Sequence, residues 1–113
     1  MLTNKKGRII HISSITATTG FNGLAVYGAT KAGLIGFTKS LSRELGRAHI
    51  TVNCISPGFM KTKMTESLEG KKLKSIERRS PLGIPTTLDV SEAVLFLLSN
   101  GAARITGTTL TID

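Results

Sequence analysis

An α/β fold on a parallel sheet of about three strands is expected from three features of the sequence. The isoleucine-rich run Arg8 to Ser13 has the continuous apolar character of a strand covered on both faces. A stretch from about Leu24 to Gly46 has apolar residues at helical spacing. The next apolar run, Ile50 to Ser56, ends at Pro57-Gly58, where proline cannot continue a central ladder and glycine permits a sharp turn. Strands alternating with long helices predict a parallel sheet with helical layers.

Taken in order, the first strand is followed by a loop marked by Gly20, Asn22 and Gly23. In the long helix, Ala25, Ala29, Ala32, Ile35, Leu41 and Leu45 supply the apolar positions. Gly28, Gly33 and Gly36 lower its propensity, which points to close packing against a partner helix or against the sheet. After the second strand, the charged, weakly periodic segment Met64 to Arg79 predicts short helices over a mobile stretch. Pro81 and Pro85 bracket a turn, and Thr87 is the expected N-cap of a helix through VSEAVLFLLS, with Asp89 and Glu92 near its positive end. TGTTLTID closes the chain as a third strand.

The 113 residues, 40% of them hydrophobic, fit one small domain. No apolar run reaches the roughly eighteen residues of a membrane span, and the N-terminus lacks a secretory apolar segment, so a soluble cytoplasmic protein is expected. The net charge of +8 invites a nucleic-acid partner. Aromatic residues, at 4%, are too few to stack on bases, and the basic residues are dispersed, so nucleic acid is set aside. Cys54 sits in an apolar strand as a small buried hydrophobe. His11 and His49 have no companions at metal-ligand spacing, so no metal is expected. Asn53, inside an apolar strand, must find partners for its amide and is expected to tie backbone elements together.

The chemistry centres on Tyr27 and Lys31, four residues apart in the long helix, with Ser14 at the end of the first strand. Positions i and i+4 share a helix face, so the ammonium can lie beside the phenol. At about 5 Å and an effective dielectric of about 20, one charge is worth roughly 3 kcal/mol in favour of the phenolate. Tyr27 then becomes a candidate general acid/base, although the bare pair also fits a solvated helix face.

Ser14, Tyr27, Lys31, Asn53 and Pro57-Gly58, in this arrangement, resemble the short-chain dehydrogenase/reductase family over nearly the whole chain. GRIIHISS, YGATKAGLIGFTKSLSRELG, ITVNCISPGFMKTKMT and ITGTTLTID are most similar to the beta-ketoacyl-[acyl-carrier-protein] reductases and their close relatives. The resemblance implies a Rossmann-like doubly wound sheet and reduction of a carbonyl, as in a 3-oxoacyl thioester, by a nicotinamide cofactor, NADP(H) before NAD(H). It makes Tyr27 the proton donor, Ser14 a hydrogen-bond donor to the carbonyl oxygen, and Lys31 a ligand of the nicotinamide ribose. It assigns Pro57, Gly58 and Met60 to the nicotinamide side of the pocket, with the Met60 backbone toward the carboxamide, and makes Thr62 a hydroxyl contact. The segment from Met64 to Arg79 becomes a substrate lid. A homo-oligomer and an acyl carrier protein docked on Lys5 and Arg47 are the partners implied, although Arg47 also suits a helix C-terminus for its dipole alone.

Phosphate binding in such folds needs a glycine-rich turn after the first strand, and these residues contain none in that place. Residues 1–113 therefore read as the C-terminal catalytic half of the domain, with the N-terminal dinucleotide-binding half absent and both ends cut. Such a piece is expected to be inactive alone and poorly stable. The competing readings are an NAD-dependent alcohol or sugar dehydrogenase of the same family, and a non-catalytic truncated subunit that pairs with an intact reductase.

Overall fold

The computed structural model describes residues 1–60 and 70–113. Three parallel strands lie in the order β1 (Gly7–Ile12), β2 (Ile50–Pro57) and β3 (Thr109–Ile112). Among the described residues four α-helices connect or cover them: α1 (Thr16–Thr19), α2 (Ala25–Leu45), α3 (Lys71–Arg79) and α4 (Thr87–Leu98). The three strands and two long helices match the sequence expectation. The short helix α1 was not expected, because its four residues are too few to show a period. Residues 61–69, which include the start of the Met64 to Arg79 segment, lie outside the described residues.

β2 is the centre of the molecule. All eight of its residues are buried, and it pairs with β1 from Gly7↔Ile50 to Ile12↔Ile55 and with β3 from Cys54↔Thr109 to Pro57↔Ile112. β1, by contrast, is half-buried rather than covered on both faces, because β2 is its only strand partner among the described residues. An isoleucine-rich run therefore marked a strand correctly but overstated its cover.

The two faces of the sheet differ in chemistry. Neighbouring residues of a strand point to opposite sides, and Ile55 packs with Leu97 of α4 and with Ala102 in an apolar cluster flanked by Ile10, Val94 and Leu110. Toward α2 the buried residues Ile50, Val52 and Cys54 are joined by hydrogen-bonded polar groups. The His11 Nδ1 atom lies 2.8 Å from Thr38 Oγ1, which itself donates to Leu34 O at 2.7 Å.

The buried side of α2 carries Thr38 and Ser42, while Ala25, Ala29 and Ala32 are exposed, contrary to the expected core stripe. Alanine fits either environment, so those positions held little information. Gly107 explains Ser42: its φ of 74° is left-handed, and a Cβ there would stand 2.8 Å from Ser42 Oγ. The loop before β3 is fastened to β2 by Asn53, whose Nδ2 donates to Ile105 O at 2.8 Å and whose Oδ1 accepts from Thr108 N at 3.1 Å. Asn53 thus ties backbone elements together, as expected of a buried amide.

The N-cap of α4 is Thr86, not Thr87. Thr86 Oγ1 accepts from the Asp89 N–H, and the Asp89 carboxylate accepts from the Thr86 N–H at 2.7 Å and from its hydroxyl. A cap at Thr87 would put Val90 in the reciprocal place, with no acceptor to offer. These donors hold the Asp89 carboxyl below its ordinary value of 3.8, the backbone N–H of Thr86 contributing most.

A depressed carboxyl stabilises the fold above its unfolded pKa and ceases to do so as pH falls through its folded value. Thr86→Ala is expected to lower the unfolding free energy by about 1 kcal/mol in denaturant titrations at neutral pH. Asp89→Asn should lose stability at neutral pH, and its deficit against the parent should vanish in acid below the ordinary value of 3.8.

Candidate active site

The site forms where the chain leaves the parallel strands. After β1, the Ile15 N–H donates to Pro57 O at 2.9 Å, and the Gly58 N–H donates to Ile112 O at 2.6 Å. These two bonds join the segment after Ser14 to the end of β2, and the end of β2 to the end of β3. Open parallel sheets bind ligands beyond such carboxyl ends.

Gly58 has no left-handed φ, so a sharp turn is not the reason for glycine there. A Cβ at that position would collide with the Asp113 carboxylate, which occupies the space instead. Pro57 is buried, while Gly58 and Met60 are half-buried. Thr62 lies outside the described residues.

Tyr27 and Lys31 lie on adjacent turns of α2, with the ammonium 5.6 Å from the centre of the phenol ring, within the range of a cation–π contact. Lys31 Nζ also donates to Ile12 O at 3.1 Å, at the last residue of β1. Tyr27 is 44% exposed, and its hydroxyl makes no hydrogen bond among the described residues.

Ser14 follows Ile12 by two residues. Its Oγ accepts from the Thr16 hydroxyl at 3.0 Å and from the Thr16 N–H at 3.3 Å. Two donors on its lone pairs leave the Ser14 proton without a protein acceptor among the described residues. Thr16 was not singled out from the sequence, and only its two-residue spacing from Ser14 could have suggested it.

Ser13 was likewise passed over beside Ser14. It is 3% exposed, its Oγ donates to Lys31 O at 2.7 Å, and its N–H donates to Ile55 O at 2.8 Å. Lys31 is therefore held at both ends, its carbonyl by Ser13 and its ammonium by the carbonyl of Ile12.

Lys5 and Arg47 stand at the other end of the sheet. They precede β1 and β2, whose first residues pair as Gly7↔Ile50, and are separated from Ser14 by the six-residue length of β1, about 20 Å. No group of three or more metal-ligating side chains occurs among the described residues, and none of their helices is long and apolar enough to cross a membrane.

A family model described as enoyl-(acyl carrier protein) reductase matches residues 1–113. The chain belongs to the short-chain dehydrogenase/reductase family. It is 50% identical to the 3-oxoacyl-[acyl-carrier-protein] reductase FabG of Rickettsia prowazekii over 116 residues, which take in all of this chain and 47% of that protein. Nodulation protein G of Rhizobium sp. strain N33 is 42% identical over all of this chain and 46% of its own length. The acetoacetyl-CoA reductase of Acinetobacter sp. strain RA3849 is also 42% identical, again over the whole chain and 46% of the relative. The chain spans about half the length of the curated relatives it matches, in keeping with its three strands being an incomplete Rossmann-type sheet.

Beneath α2, burial pushes the Cys54 thiol up from its ordinary value, outweighing the opposing pull of the Ser13 backbone, the Thr38 and Thr109 hydroxyls and the Lys31 charge. Less thiolate is then present at neutral pH. Iodoacetamide should modify Cys54 far more slowly in the folded chain than in denaturant, as followed by mass spectrometry; equal rates would contradict its burial.

Proposed function

We propose that residues 1–113 form the C-terminal catalytic half of a nicotinamide-dependent reductase whose substrate is the ketone of a 3-oxoacyl thioester. The observation that carries this reading is the double role of the Lys31 ammonium, which lies against the Tyr27 ring while it is pinned to the end of β1 beside Ser14. A solvated surface pair would have no reason to reach back to a strand carbonyl. The relatives point the same way, since two of them carry the names of a 3-oxoacyl and an acetoacetyl reductase.

The donor set suits the nicotinamide side of a dinucleotide. One of the three Lys31 N–H donors is used on Ile12, which leaves two for ribose hydroxyls, and the half-buried backbone from Gly58 to Met60 flanks the same strand ends. Tyr27, Lys31, Pro57, Gly58, Met60 and Thr62 are the proposed contacts, with NADP(H) preferred to NAD(H). When bound, the nicotinamide supplies a hydride to the carbonyl carbon.

The residues of this chain handle the charge and proton on the other atom. Ser14, held by Thr16 as an acceptor, points its remaining proton at the carbonyl oxygen. As negative charge grows there, Tyr27 transfers its phenolic proton to the oxygen, giving the alcohol. The Lys31 cation steadies the phenolate that is left until a proton from solvent replaces the one transferred.

The partners follow from the same reading. An acyl carrier protein would present the thioester, in the cytoplasm, with Lys5 and Arg47 as a docking patch remote from Ser14. A second copy of the chain would cover the exposed side of α2, where Val26 is 79% exposed, Phe37 is 53% exposed with its ring also against His11, and nothing stands within 4 Å of a Cβ built on Gly33 or Gly36. That surface equally favours the second reading, a non-catalytic subunit that pairs with an intact reductase.

Activity is best tested with these 113 residues joined to the N-terminal portion of the Rickettsia prowazekii relative. Tyr27→Phe should reduce ketoester turnover by about 10²-fold or more while the circular dichroism spectrum stays that of the parent. Retained turnover would reject Tyr27 as the acid. Phe37→Glu, in sedimentation of the same protein, should shift the dimer toward monomer; an unchanged dimer would place the interface elsewhere.

A further inference from the structure

We infer that Ser13 is a positioning residue that sets the spacing between Ser14 and the Tyr27–Lys31 pair, an inference that rests on the reductase reading above. Three groups that must meet one substrate oxygen sit on two separate pieces of chain. Ser14 is on the loop after β1, and Tyr27 and Lys31 are on α2. Ser13 joins these pieces: its hydroxyl donates to the Lys31 carbonyl at 2.7 Å, and its own N–H is anchored to Ile55 of the central strand at 2.8 Å.

The bond is placed where it has leverage. Lys31 O belongs to the same residue as the ammonium on Ile12 O, so the two ties bracket the helix position of Lys31 and hold its turn against the end of β1. Ser13 is almost fully buried, which shields the bond from competing water. Adjacent in sequence, Ser13 and Ser14 divide the work: the first faces the helix backbone and the second takes its donors from Thr16. Loss of the Ser13 hydroxyl leaves Lys31 O with its ordinary helical partner, so the fold survives while the turn keeps only the flexible side-chain tie of Lys31 to Ile12 and can shift.

A slide of about 1 Å at such a site costs on the order of a hundredfold in rate. In the joined full-length chain, Ser13→Ala is expected to lower kcat by about tenfold to a hundredfold with the KM for ketoester and reduced nicotinamide changed by no more than about twofold. Ser13→Thr, which keeps the hydroxyl, should recover most of kcat.

Thr38→Val is the structural control. It removes another hydroxyl tie between α2 and β1, to His11, two turns further along the helix and away from the site. It should lower the melting temperature at least as much as Ser13→Ala and leave kcat within about twofold. Crystal structures of parent and Ser13→Ala should show the Tyr27–Lys31 turn displaced from Ser14 in the variant.

Parental kcat in Ser13→Ala, a loss no greater than that of Thr38→Val, or an undisplaced helix turn would each overturn the inference. Should Ser13→Thr fail to fold, the comparison of the alanine variant with Thr38→Val decides alone. A fully active Tyr27→Phe would reject the reductase reading itself, a failure separate from that of Ser13.

Discussion

The burial of β2 is the constraint on which the remaining structure depends. It is the strand that both others pair with, and its eight residues are covered on their two sides by different kinds of surface. Ile55 anchors the apolar cluster under α4, while Cys54 lies beneath α2 among hydroxyls. Polar groups of this strand also hold it: Asn53 closes the loop before β3, and the Ile55 carbonyl receives the N–H of Ser13. Apolar burial gives the sheet its cohesion, and directed hydrogen bonds give it register.

That division of labour shapes the site. An apolar contact between α2 and the sheet would tolerate sliding, because dispersion and hydrophobic burial have little directional preference. Near the site that contact is fastened by hydrogen bonds with fixed partners, Ser13 to Lys31 O and Lys31 Nζ to Ile12 O. A helix docked in this way presents Tyr27 and Lys31 at a defined height above the strand ends.

Much of this architecture was legible in the residues because long apolar runs and helical spacing are repeated signals. The three strands and the helix bearing Tyr27 and Lys31 followed from such signals, whereas Pro57, expected to stop the second strand, is its last residue and pairs with Ile112, because its missing N–H does not prevent its carbonyl from accepting, as it does from Ile15. What escaped were details decided by single partners. Thr86 and Thr87 are equally good caps in isolation, and only the Asp three positions after the first distinguishes them. The glycine at position 58 was attributed to turning, whereas Asp113, far along the sequence, fills the space a side chain would need. The alanines of α2 misled because alanine carries little preference for burial. The candidate residues Ser14, Tyr27 and Lys31 were legible through their spacing and family resemblance, but the groups that orient them, Thr16 and Ser13, act through contacts that no local pattern announces.

The most direct test of the central claim is a crystal structure of the joined full-length chain with oxidised nicotinamide dinucleotide and a slow ketoester analogue. One ligand oxygen should lie within hydrogen-bond distance of both Ser14 Oγ and the Tyr27 hydroxyl, with Lys31 Nζ on the ribose hydroxyls and still bonded to Ile12 O. A ligand oxygen held by neither hydroxyl, with Tyr27 directed away from the strand ends, would contradict that claim.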